Sequence, residues 1–207
     1  MLRKQPGFLR STSGFVSRTV RPGVRLGLLF GSLLIACSLA GPGAVWGHGG
    51  AASGNVAIVD TPVKAYGYSG HTQTWTEIDL DSPALVRASS EHLGYVRTLT
   101  QIHSFHSNNQ RWNSSQITGV PLGESTRGAT SVCWTTNAGY ATASLWTVWK
   151  PVSWPDGEEP IDGGSCGNFA LVWTKHHAYA FHSASGTWTP QAMAEPISGG
   201  ITCDGFG

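Results

Sequence analysis

From Val56 onward, apolar and polar residues alternate in short bursts with a period of two, and no stretch beyond the N-terminal segment keeps a 3.6-residue apolar pattern. Short strands are expected, not helices. The first kind of burst (56–60, 93–97, 132–134 and 169–173) is rich in β-branched and aromatic residues and stops at Thr61, Thr98, Thr135 or Thr174 before a tight polar turn. In the burst that follows, Tyr66 and Tyr68, His103 and Phe105, and Tyr179 and Phe181 point one way. Ala65 and Gly67, Ile102 and Ser104, and Ala178 and Ala180 point the other. A large face backed by a small one suits a sheet packed closely on its neighbour. Turns such as Ser69-Gly70-His71 and Ala184-Ser185-Gly186 lead to a third, tryptophan-bearing strand. The less regular segments around Pro83, Pro121, Pro160 and Pro196 are read as a short, bulged fourth strand at a sheet edge.

The tryptophans expose a repeat. Trp75, Trp112, Trp149 and Trp188 are separated by 37, 37 and 39 residues, and GNVAIVDTPVKAYGYSGHTQTWT (54–76) aligns with GNFALVWTKHHAYAFHSASGTWT (167–189). Units are drawn at 54–92, 93–130, 131–166 and 167–203, with an unfinished fifth begun where Pro196-Ile197-Ser198-Gly199-Gly200 echoes Pro160-Ile161-Asp162-Gly163-Gly164. A small antiparallel sheet cannot bury both its faces alone, so copies must stack, and radial stacking predicts an all-β, β-propeller-like protein of about four small blades. The seven-residue step from Tyr68 to Trp75, Phe105 to Trp112 and Phe181 to Trp188, with Gly186-Thr187-Trp188 and Trp188-Thr189-Pro190, resembles the kelch and galactose-oxidase-like propeller repeat. These units are shorter than a kelch blade of about 50 residues and carry Thr where kelch has a Gly-Gly doublet.

Charge divides the chain in two. Six of the 13 Lys and Arg residues fall in the first 25 positions, no acid precedes Asp60, and an uncharged stretch runs from Leu26 to Gly47. Basic residues followed by an apolar core have the order of a secretory signal, so residues 1–47 are read as a targeting segment and 48–207 as the repeat domain. Ser38-Leu39-Ala40 offers a cleavage site, and Leu34-Ile35-Ala36-Cys37 a lipobox that would lipidate Cys37; an uncleaved anchor and an organelle transit peptide are the competing readings. The expected location is extracellular or the cell envelope, with membrane attachment only through this segment or a lipid. Past residue 47, seven dispersed basic residues face 12 acids, which argues against a nucleic-acid partner. Cys133, Cys166 and Cys203 allow one disulfide and one thiol in an oxidising compartment.

No nucleophile-base pair, paired-carboxylate arrangement or phosphate loop has informative spacing, so no catalytic residue and no cofactor is assigned. His106 and His182 occupy one repeat position in alternate units and are candidate metal ligands across a channel. The residue ending the first strand (Asp60, Arg97, Trp134, Trp173) varies where its neighbours do not, and is read as facing solvent or the ring centre. Together with Trp146 and Trp154, which lie outside the repeat pattern, it forms the candidate ligand-binding set. The functional expectation is an exported module holding a glycan, peptide or envelope protein on propeller loops. A propeller enzyme domain and a structural envelope protein associating with copies of itself are the alternatives.

Overall fold

The computed structural model describes residues 50–201; residues 1–47, expected to be a targeting segment and including Cys37, and Cys203 at the end of the fifth unit, lie outside them. Four antiparallel sheets of four strands each follow one another in chain order. The first holds β1 (Gly50–Ser53), β2 (Val56–Asp60), β3 (Lys64–Ser69) and β4 (Thr74–Asp79). The second holds β5 (Val86–Ser89), β6 (Leu93–Arg97), β7 (Gln101–His106) and β8 (Arg111–Gln116). The third holds β9 (Pro121–Arg127), β10 (Thr130–Thr135), β11 (Ala138–Ala143) and β12 (Lys150–Ser153). The fourth holds β13 (Asp162–Cys166), β14 (Phe169–Trp173), β15 (His177–His182) and β16 (Thr187–Ala192). Each sheet is a plain meander, and first strands pack beside first strands, as in the blades of a β-propeller.

The strands expected at Pro83, Pro121 and Pro160 are present at sheet edges, but each opens the following blade. A unit drawn at 54–92 therefore holds β2, β3 and β4 of one sheet and β5 of the next. Residues 196–201, the described part of the fifth unit, form no strand.

The recurring threonine has a local cause. In all four blades its Oγ1 accepts the amide hydrogen of the residue three positions on, at 3.0 Å: Thr61 from Lys64, Thr98 from Gln101, Thr135 from Ala138 and Thr174 from His177. The side chain thus closes the second hairpin by binding backbone that the turn leaves unpaired. Two residues before the tryptophan, the third hairpin passes through the left-handed region at Gln73 and Gln110, both at φ 57°, and at Gly186 at φ 63°.

Burial follows the two-faced pattern of the third strands. Toward the next sheet each blade presents residues such as Val56, Ile58, Ala65 and Gly67; toward the preceding sheet it presents residues such as Gly94, Val96 and Phe105. A Cβ on Gly67 would lie 2.5 Å from the Phe105 ring, so glycine there lets the aromatic of the next blade seat fully. The same arrangement packs Tyr95 against Cys133 and Tyr140, and Val132 and Ala141 against Val172 and Phe181. Three such interfaces make the core. Cys133 is a buried free thiol, whereas Cys166 is disulfide-bonded.

Candidate functional site

Antiparallel pairing puts the turn between the second and third strands and the start of each first strand at one end of the stack. Val86 pairs with Arg97, Gly123 with Trp134 and Asp162 with Trp173. This connector end carries most of the exposed large apolar side chains. Leu85, Leu122 and Ile161 are 47%, 48% and 58% exposed and occupy one register position, just before or at the start of the first strand. Backbone bonds fix two of them: Leu85 N–H donates to Arg97 O at 2.7 Å and Ile161 N–H to Trp173 O at 2.8 Å. Val63, Leu99 and Val120 stand exposed on neighbouring turns and connectors of the same end. At the opposite end the turns are built from residues such as Gly54-Asn55, Gly128-Ala129 and Gly167-Asn168, and only the longer turn of the third blade exposes Leu145 and Val148.

Immediately beneath Leu85, Leu122 and Ile161 lies the position singled out from sequence, and its side chains are largely withdrawn from solvent. Its four residues reach across to the following segment of chain. The Asp60 carboxylate is nearly closed off from solvent and accepts hydrogen bonds from both Nε and Nη2 of Arg87, the latter at 2.6 Å, while Arg97 Nε donates to Glu124 Oε2 at 3.0 Å. Trp134 is buried against Gly123 of its own sheet and Gly163 of the next, and Trp173 against Gly200. Variation at this position reflects a partner that changes in step with it.

The other candidates are placed as follows. Trp154 is buried on Gly139 and Tyr179, its Nε1 donating to Thr135 O at 3.0 Å. Trp146 covers Gly186, donates to Ser183 O at 2.6 Å and receives Lys150 Nζ 5.6 Å above its ring. His106 is sealed between the second and third sheets beside Ser104 Oγ at 3.0 Å, and burial pushes its imidazole down to about 4. His182 sits on the exposed side of the fourth sheet, where Nδ1 accepts the Ala184 amide hydrogen at 3.1 Å. The two histidines are not brought together. Among the described residues, no group of three or more His, Cys, Asp or Glu converges as a metal site would require.

Chemistry at the connector end is otherwise that of polar anchoring. Thr174 Oγ1 donates to Glu158, and His177 Nδ1 stands 3.0 Å from the same carboxylate; the hydroxyl, chiefly, holds Glu158 below its ordinary range. What sequence reasoning missed is the recurrent exposed aliphatic. Its signal was legible as Leu85, Leu122 and Ile161 lying 37 and 39 residues apart, the spacing of the tryptophans.

No family model matches the chain, and no curated protein matches it. Solved structures do resemble it. The β-propeller domain of Cps50 (Swd1) from Myceliophteria thermophila aligns at 8% identity with a TM-score of 0.39, over 70% of this chain and 53% of that one. BamB from Moraxella catarrhalis aligns at 17% identity with a TM-score of 0.36, over 70% and 52%. A structure of YCF48 bound to D1 peptide aligns at 13% identity with a TM-score of 0.37, over 69% and 51%. The chain thus spans about half the length of each of these proteins. The propeller assignment rests on the sheets themselves, and nothing found ties the chain to kelch proteins.

Proposed function

We propose that this chain is an exported binding module whose connector end receives an apolar stretch of a peptide or protein partner. The observation that carries this reading is the threefold recurrence of an exposed aliphatic side chain at Leu85, Leu122 and Ile161. Exposed apolar side chains gathered on one surface and rimmed by polar groups mark interaction sites in soluble proteins. A glycan would be held by open aromatic faces, and the indoles of Trp134, Trp154 and Trp173 are buried. Export is supported by the basic and apolar N-terminal pattern and by the disulfide at Cys166, a bond that persists in oxidising compartments.

The test is selection of peptides from a displayed random library on the purified protein. Enriched peptides should carry aliphatic or aromatic residues. The triple variant Leu85→Ser, Leu122→Ser, Ile161→Ser should bind them at least ~10-fold more weakly, the value of about 1.4 kcal/mol, with an unchanged melting temperature. Binding retained in that variant, or a library that yields no enrichment, refutes the reading.

A further inference from the structure

Among the described residues the stack of sheets has two open ends, the fourth sheet being covered only where Gly200 lies against Trp173 and Ile201 lies beside Gly164. Among the described residues, neighbouring sheets pack in the series first to second, second to third and third to fourth, and no comparable packing joins the fourth to the first. The consequence is visible residue by residue. Val59 is 43% exposed, whereas its repeat equivalents Val96, Cys133 and Val172 are each 0%. Phe169 is 40% exposed, whereas Leu93 and Thr130 at the same position are 0% and Val56 is 2%. Trp75 is 52% exposed, whereas Trp149 is 6%.

The two open faces are opposite halves of one interface that the chain already makes three times. The first sheet offers the large half, with Val59, Tyr66, Tyr68 and Trp75. The fourth offers the small half, with Ala178 and Ala180 where earlier blades have Ala65 and Gly67 or Ile102 and Ser104. A polar bond runs through two of the internal interfaces: Trp112 Nε1 donates to Thr76 O at 3.4 Å and Trp188 Nε1 to Lys150 O at 2.8 Å. In repeat terms the next member of that series is Trp75 donating to Thr189 O.

We infer that the occupant of each open face is a second copy of this chain, joined head to tail, the first sheet of one against the fourth sheet of the other. An interface between unlike faces forms a ring when its rotation closes. Propellers of four-stranded sheets hold about four to eight blades. With the four sheets that the described residues form, two copies reach eight, and a third would exceed that range. This inference does not depend on the peptide-binding reading, because the connector end stays exposed in such a ring.

The experiment is native mass measurement on the full chain and two variants, Val59→Arg and Ala180→Arg, both on exposed positions so that folding is retained; Val59→Glu and Ala180→Lys replace them if an arginine variant melts early. The unaltered protein should have twice the mass of one chain. Each variant alone should have the mass of one chain, because each spoils both junctions of the ring. Mixing the two leaves one intact junction, the first sheet of the Ala180 variant on the fourth sheet of the Val59 variant, and should restore a pair. A monomeric parent protein, as when other residues of the same chain cover these faces, overturns the inference. So does a variant that still pairs alone, as the one altered outside a face-to-face interface would, or a mixture that stays monomeric.

Discussion

His106 is a titratable side chain with no exposure to water. An imidazole of ordinary pKa near 6.5 is lowered to about 4 by burial between the second and third sheets, so the fold holds it neutral. The unfolded chain takes up the proton first as pH falls. Stability from this site is therefore complete above about pH 6.5 and is lost as pH drops toward 4, by about 3 kcal/mol over that window. Urea denaturation at pH 7 and pH 4.5 should show a larger loss in the parent protein than in His106→Gln; equal losses would exclude this imidazole as the source. Thr135 poses a different test. It donates to Thr118 O at 2.6 Å and accepts from the Asn137 and Ala138 amides, so Thr135→Val should cost about 1–3 kcal/mol in a denaturant melt, by stranding those groups. The recurrence of this threonine was legible in the sequence as punctuation. Its cause was not, because a hydroxyl closing a hairpin is indistinguishable in a string of letters from a polar residue in a loop.

At the scale of the element, sequence marked the strands and their two faces well, since a period of two with large residues opposite small ones is the imprint of a sheet pressed closely between neighbours. It misjudged the end of the second strand. Variability there suggests exposure, yet Asp60 and Arg97 are engaged with Arg87 and Glu124, each 27 residues further on. A side chain that changes together with a distant partner looks unconstrained when only one of the two is watched. The pairs are equivalent in position and opposite in sense. Asp60→Ala alone should destabilise by about 3 kcal/mol, because it leaves the Arg87 guanidinium uncompensated. The exchange Asp60→Arg with Arg87→Glu copies the second blade into the first and should recover most of that loss in a double-mutant cycle. No recovery would mean that the two slots are not equivalent.

For the whole molecule, four blades were legible from the tryptophan spacing, while their phase was not, because a strand that opens one sheet follows the connector from the last without interruption. The open ends were equally hidden, since they depend on whether the fourth sheet reaches the first and not on any local pattern. Sheets two and three are buried on both faces, sheets one and four on one. In dilute, dissociated protein, amide exchange should be slowest in β6, β7, β10 and β11 and fastest in β1 and β16, and uniform protection across all four sheets would contradict this layering. The reversed ion pairs matter at this scale too. Repeated units of similar shape are prone to docking on the wrong neighbour as they fold. Here a mistaken partnership of the first sheet with the third would set Asp60 beside Glu124, sealing like signs into one crevice, whereas the correct sequence of blades matches each sign to its opposite. The charges at the ends of the second strands thus work as addresses, giving otherwise interchangeable wedges a fixed seating order.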